Sequence, residues 1–430
     1  MSNPINKTGE ADLRPLQLFF LAAAVFVVSA GYGALLPLLP GWLALQIPGS
    51  TPGDVARHVG FLSGAYTAGV LVGAPIWGLI SDRLGRPRIL VLGLVGYVVS
   101  QLLLLLPSMG SLWAIYALRG AAGLFVAAVV PLIPALVAAH TPKAIRARRF
   151  AWLGAASLLG FLFGPALNAL ADVLASAFAM VLGNGGTLAV LSTRIVILLS
   201  ALLGASMMLG LALTLPTHEG TSEGDVAEAN TPAPSGFAAL WYLSVAVNLV
   251  LSGFEIGIVL QGKEHAALST QQVAMMFAEC SLVMLAINAL LFFTSALDKV
   301  PPRLVIAAGS LLGMAGLAAL ALHEADKWMY IGVSLTSAGT GLVLPVIAFL
   351  AAGASHRRLG ATMGALAAAG ALGQTLGSAA GGWLFGAVAR QSFAWLALPL
   401  LATLILLLLR PSWWRAPATL PAAALSPIPR

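Results

Sequence analysis

Twelve stretches of about 18 or more apolar residues divide this 430-residue chain, and each is long enough to cross the hydrocarbon core of a bilayer. They run near 17–43, 57–80, 88–107, 112–140, 149–173 and 193–215, then 237–261, 272–296, 303–322, 328–353, 360–389 and 393–410. A segment alone in hydrocarbon must satisfy its own backbone hydrogen bonds, so every span is expected to be a helix. Hydrophobic residues make up 59% of the chain and charged ones 9%, too little polar cover for a soluble core of this size. The expected fold class is therefore an all-α membrane protein with twelve transmembrane helices. Its divisions are an N-terminal tail (1–16), a six-helix bundle (17–215), a linker (216–236), a second six-helix bundle (237–410) and a C-terminal tail (411–430).

Placing both termini in the cytoplasm puts sixteen Lys and Arg residues on that side and five on the other, with Arg119 inside a span. That excess sets the expected orientation in a bacterial-type inner membrane. The net charge of +7 is thereby explained by topology, and no nucleic-acid partner is expected. The start, MSNPINKTGEADLRP, lacks the apolar core and cleavage site of a signal peptide, so span one is expected to act as its own insertion signal. The linker PTHEGTSEGDVAEANTPAPSG carries four acids and no Lys or Arg, the composition of a solvated tether. The single cysteine, Cys280, leaves no intrachain disulfide to form.

The halves echo each other. Gly160 and Gly164 of span five align with Gly373 and Gly377 of span eleven, Asp82 falls near Asp298, and Gly123 near Gly341. Duplicated helical units in a membrane chain point to a transporter whose site lies between the repeats.

Between spans two and three stands GLISDRLGRPRIL, which places Asp82, Arg83, Arg86 and Arg88 where two spans meet water. Positive residues there serve as topology anchors, but that role does not explain Asp82. The stretch resembles the cytoplasmic motif of the major facilitator superfamily, through Gly78, Ser81, Asp82, Arg83, Gly85 and Arg86. Pro87 occupies a place usually held by Arg or Lys, and a partial copy, LDKVPPRL, keeps Asp298, Lys299 and Arg303. Gly78 would permit close helix packing, Gly85 would supply a turn, and Asp82 could sit at the N-terminal end of a neighbouring helix. The resemblance implies the major facilitator fold, with that neighbour as span eleven. It also implies that the charges clasp the halves while the site faces outward.

Two further stretches resemble proton-coupled members of the group. Span four has Arg119 and Gly123 in an Arg-x-x-x-Gly arrangement. Span five has Gly160, Gly164 and Pro165, part of the antiporter signature of the twelve-span drug:proton exporters, with Asn168 and Ala169 in place of its closing glycines. Ordinary small-residue helix packing accounts for the same glycines.

Ionisable groups deep in a span cost about 2.5–3.5 kcal/mol each by insertion scales, so Arg119, Glu255 and Glu279 are expected to be functional or paired. At about 1.5 Å per residue they share a depth, about 10 Å in from the face opposite the termini. Glu255 closes a polar stripe with Ser244, Asn248 and Ser252 on span seven. A carboxyl group taken out of water favours its neutral form, which would let Glu255 accept a proton on one face and surrender it on the other. Arg119 would then hold the vacated carboxylate, or instead lock a helix by bonding backbone carbonyls; Glu279 is grouped with these two in proton coupling, with packing between the halves as its other reading. Asp172, shallow in span five, is read as a wet structural carboxylate.

In the superfamily, spans one, four, seven and ten line the cavity. Substrate contacts are accordingly expected from Tyr32, Tyr66, Asn248, Ser337 and Gln374. The six histidines lie in loops or at span ends, and no phosphate-binding loop, zincin helix or hydrolase elbow occurs. Neither metal nor cofactor is expected, and an ion gradient would supply the energy. The reading is a non-enzymatic, monomeric proton antiporter in membrane lipid, exporting a small amphipathic molecule such as a drug-like compound or a secreted metallophore. Its rivals are a proton symporter taking up a small organic anion, with Arg119 as the anion's seat, and a receptor or assembly partner that moves nothing.

Overall fold

The computed structural model describes residues 13–106, 111–141, 143–182, 188–215, 237–264, 268–294, 299–354, 359–410 and 414. The linker, Asp298, most of both tails and the Asp82 side chain lie outside them. Twelve helical spans are present, with no strand among the described residues. The first six are α1 (Pro15–Leu35, prolonged by Leu39–Gln46), α2 (Pro52–Leu84), α3 (Arg86–Leu103), α4 (Leu112–Val126, then Leu132–Ala139), α5 (Lys143–Leu182) and α6 (Leu188–Thr214). The second six are α7 (Phe237–Glu264), α8 (Thr270–Thr294), α9 (Pro302–Leu322), α10 (Asp326–Ala354), α11 (Leu359–Val388) and α12 (Ser392–Leu396, then Leu398–Leu409).

Where the helices depart from the expected spans, proline and glycine give the reason. Span four is interrupted at residues 127–131, because Pro131 cannot donate to the preceding turn and its ring crowds it. Pro37 lies within the tight turn Leu36–Leu38 that interrupts α1, and Pro40 opens the stretch beyond it. Gly85, at φ +88°, ends α2 in a conformation that suits glycine and lets α3 begin one residue later. Thr51 caps α2 by accepting from the Asp54 amide, while Asp54 accepts from the Thr51 amide in return. That cap carries α2 back to Pro52, five residues before the expected start.

Helices in lipid gain little from hiding apolar surface from one another, so close approach through small residues decides which of them pair. Gly160 and Gly164 let α5 lie on α1: a Cβ on Gly160 would clash with the Phe26 carbonyl, and one on Gly164 would come within 2.9 Å of the Gly33 carbonyl carbon. In the same way, added carbons on Gly373 and Gly377 of α11 would clash with the Val245 and Leu249 carbonyls of α7. Gly123 seats α4 on the Tyr66 backbone of α2, and Gly341 seats α10 on Met284 of α8. The internal repeat is thus a repeat of packing.

The bundles touch on the side away from the termini. There α2 meets α11 backbone to backbone, a Cβ on Gly60 lying 2.6 Å from the Gly382 Cα and one on Gly53 lying 2.9 Å from the Gly386 oxygen. Gln271 of α8 donates to the Pro165 carbonyl of α5 at 3.5 Å. A buried apolar cluster fills the same end, drawing Leu36, Leu39 and Val59 from one bundle and Phe254, Phe277 and Phe385 from the other. Toward the termini the helices diverge, and a Cβ on Gly78, Gly154 or Gly364 would meet nothing within 4 Å. Gly78 therefore makes no close helix contact in this conformation, contrary to expectation, because its face of α2 has no neighbour once the bundles separate.

Candidate functional site

Above the apolar cluster, the N-terminal bundle presents an aromatic wall bearing one charge. Tyr32 of α1 lies against Tyr66 of α2, ring centres 5.2 Å apart and planes tilted by 36°, and meets the edge of Phe161 of α5 at 5.7 Å. Arg119 of α4 is 3% exposed and sets its guanidinium over the Tyr66 ring, 4.7 Å from the centre, a cation–π contact. Its Nε has no acceptor, and among the described residues Arg119 makes neither an ion pair nor a hydrogen bond. In this conformation it fills neither expected role, holding no carboxylate and bonding no carbonyl.

From the C-terminal bundle comes the opposite chemistry. Three members of the α7 stripe are engaged with groups in their own bundle. Ser244 donates to the Leu366 carbonyl of α11, Asn248 Oδ1 accepts from Gln374 of α11 at 3.3 Å, and Ser252 accepts from Ser378 of α11 at 3.2 Å. Asn248 also donates to the Ser244 carbonyl at 2.9 Å. The fourth member, Glu255, is only partly buried, and no described residue offers it a hydrogen bond or an ion pair. Its neighbours Phe254 and Ile256 belong to the buried cluster against which Tyr32 of the facing bundle packs. Serine and amide contacts on this stripe hold helices together; the carboxyl is left for something else.

Glu279 and Ser337 lie on α8 and α10 of the same bundle. Glu279 accepts a hydrogen bond from Ser334 of α10 through Oε1, and its Oε2 has no partner among the described residues. That bond ties α8 to α10. Ser337 is fully buried beside Cys280 of α8. Two residues not expected at the site lie beside Tyr32 and its neighbour Gly31, Phe161 and Tyr97. The Tyr97 hydroxyl lies 2.7 Å from where a Cβ on Gly31 would stand, and its ring is buried. Their only advance signal was helical spacing, Tyr97 four residues before Gln101 on α3 and Phe161 four residues after Ser157 on α5.

A duplicated twelve-helix body, with unpaired charges where its halves face each other, invites comparison with known transporters. Residues 21–322, more than half the chain, match the Major Facilitator Superfamily. The chain belongs to that superfamily. It is accordingly a multi-pass membrane protein of a transporter group, not an enzyme. Among its relatives in the superfamily, the tetracycline resistance protein, class B, of Escherichia coli is 34% identical over 141 residues, 33% of this chain and 34% of that protein. Multidrug resistance protein 2 of Bacillus subtilis (strain 168) is 30% identical over 146 residues, 34% of each chain. These matches span about a third of the relatives' length. A bacterial homolog of the human lysosomal transporter Spinster, solved inward-facing and unoccupied, superposes with TM-score 0.67 at 15% identity, covering 93% of this chain and 96% of that one. At that identity the facilitator shares the fold.

For this facilitator the motif between α2 and α3 can be followed in part. Gly85 turns the chain as expected, Arg83 is exposed, and the Asp82 side chain lies outside the described residues. Gly160 and Gly164 act in packing against α1, and Pro165 supplies the carbonyl that Gln271 reaches across the interface. Asp172 is exposed, between the exposed Leu170 and Val173 of α5.

Proposed function

We propose that this facilitator is a proton-coupled antiporter that exports a small amphipathic organic molecule from the cytoplasm of a bacterial cell, with both termini on the cytoplasmic side. The observation that carries the reading is the Glu255 carboxyl, partly buried on α7 without a partner among the described residues, beside the cluster against which Tyr32 of the facing bundle packs. An ionised carboxylate attracts the cationic part of a solute, and a protonated one does not. Proton and solute then exclude each other at one group, which is the physical requirement of exchange. The apolar seal lies on the far side, so the conformation described admits solute from the terminal side, the side of loading for an exporter in this orientation. Protonation of Glu255 from outside, after the bundles have rocked, would discharge the solute.

The relatives are described as tetracycline and multidrug resistance proteins, which favours export of organic compounds. Asp82, at the end of α2, is assigned to a clasp that forms with α11 when the site faces outward. This assignment explains why Gly78 and Gly364 are apart here.

The test is transport in inside-out vesicles with an acid interior. Added substrate should dissipate the gradient, and Glu255→Gln should abolish that response. Solute uptake that instead requires a proton moving in the same direction would establish the symport alternative, with an organic anion on Arg119. Unchanged accumulation of every compound tried, in cells with and without the Glu255→Gln variant, would leave only a non-transporting role.

A further inference from the structure

Resting on that antiport reading, the pair of unpaired charges specifies what the exchanged solute must carry. We infer that the solute is a zwitterion with a planar aromatic body, its anionic group seated on Arg119, its cationic group on Glu255 and its ring against Tyr32, Tyr66 and Phe161.

Arg119 is the starting point. A guanidinium cannot shed its proton in a protein, so its charge persists at 3% exposure. Buried cations are ordinarily paired with acids, because leaving one unpaired forfeits the attraction that offsets its desolvation. Here the described residues supply no acid within 4 Å and no acceptor for Nε, and the guanidinium rests on the Tyr66 face. Such a site is completed by an anion brought from outside the chain.

Glu255 presents the complementary deficit from the facing bundle, between Phe254 and Ile256 of the buried cluster against which Tyr32 packs. A solute bearing only an amine would satisfy Glu255 and leave Arg119 unpaired. One bearing only an acid would satisfy Arg119 but be repelled by ionised Glu255. It would therefore bind together with a proton, the reverse of exchange. A zwitterion pairs both groups, and does so only while Glu255 is ionised, so it alone completes the site and still competes with the proton. Beside Arg119 the Tyr32 ring stands 5.2 Å from Tyr66 and 5.7 Å from Phe161, centre to centre, an aromatic face that stacks planar bodies.

The experiment is equilibrium binding to the full chain in lipid nanodiscs, without a gradient, using the fluorescent amino acid acridonylalanine, its methyl ester (amine only) and its N-acetyl derivative (acid only). The zwitterion should bind about tenfold or more tightly than either derivative, the scale of one charge-assisted hydrogen bond. Arg119→Gln should lower zwitterion affinity to that of the ester and leave the ester unchanged. Glu255→Gln should bring the zwitterion down to the N-acetyl compound, and Arg119→Lys should retain part of the preference. Melting of the ligand-free variants confirms that each is folded. An ester that binds as well as the zwitterion, an Arg119→Gln variant that weakens all three alike, or no binding by any of the three overturns the inference. The two readings fail separately. Zwitterion preference without proton exchange in vesicles would break only the antiport reading, whereas proton exchange driven equally by the ester would break only this one.

Discussion

The two bundles are built on one packing plan and offer opposite chemistry to the space between them. On α1 and α7 the contacts with the glycine helices pair Phe26 with Val245, Ser29 with Asn248 and Ala30 with Leu249. Carried forward, that register sets Leu36 opposite Glu255. On α4 and α10, the seats of Gly123 and Gly341 pair Tyr66 with Met284 and Arg119 with Ser337. Backbone approach is therefore conserved between the halves while the charged positions are not. A repeated helix pair is stabilised by glycines at its seam, whose replacement would cost packing anywhere. Side chains facing the central space carry no such constraint, and a single change in one copy gives the molecule a polarity that its architecture lacks.

The largest effect should come from erasing that polarity. Glu255→Gln is expected to lower gradient-driven transport on the order of a hundredfold in proteoliposomes, as loss of one obligatory proton carrier requires. Leu36→Gln, at the mirror position, should change it far less. Equal losses from both would mean that the two halves contribute alike.

Next in size is the interface. Gly60→Leu places a side chain where a Cβ alone already stands 2.6 Å from Gly382, so the far ends of α2 and α11 must part. Spin-label distances across that end should lengthen by several ångströms, roughly one side-chain layer, and transport should fall steeply. An unchanged distance would show that the seam yields without moving the bundles.

The packing half of the comparison is sharpened by Gly160→Val and Gly373→Val. Each forces a side chain onto a carbonyl of the partner helix, at Phe26 in one case and Val245 in the other. The two should lower the yield of folded protein similarly, with overpacking costs of about 1–3 kcal/mol each. A tolerated substitution on one side only would show that the bundles differ in rigidity.

A smaller effect of opposite sign is expected at Arg119. Arg119→Met removes a buried cation without a counter-charge, and replacing such a group by an apolar one is commonly neutral or stabilising by about 1–4 kcal/mol. The melting point of the solute-free protein should hold or rise by a few degrees while transport is lost. A marked fall would mean that Arg119 is structural. Smallest is Ser334→Ala, which removes the donor to Glu279 and should cost about 1 kcal/mol of stability in a denaturation assay.

Helix number, order and repeat were legible in the sequence because lipid imposes length and composition on each span separately. The offset linking Gly160 with Gly373 proved to be a contact equivalence, since glycine in a membrane helix has few uses besides close approach. Glu255 and Arg119 were visible as charges in oil. What could not be read was partnership. The α7 stripe looked like a cavity lining, yet Ser244 and Ser252 bond to α11, and spacing alone does not say which neighbour a helix face meets. Phe161 and Tyr97 were passed over because an aromatic residue in an apolar run carries no mark until a neighbouring helix brings a charge near it.

Where Gly60 rests on Gly382 and Gly53 on Gly386, α2 and α11 meet main chain to main chain. At these two contacts no long side chain has to be disentangled when the helices part or sorted into a new rotamer when they meet again. Little entropy is frozen in either position, and the barrier between them stays low. The resting tilt is then held by a margin that one proton or one bound molecule can overturn, and turnover is set by how often the site is refilled.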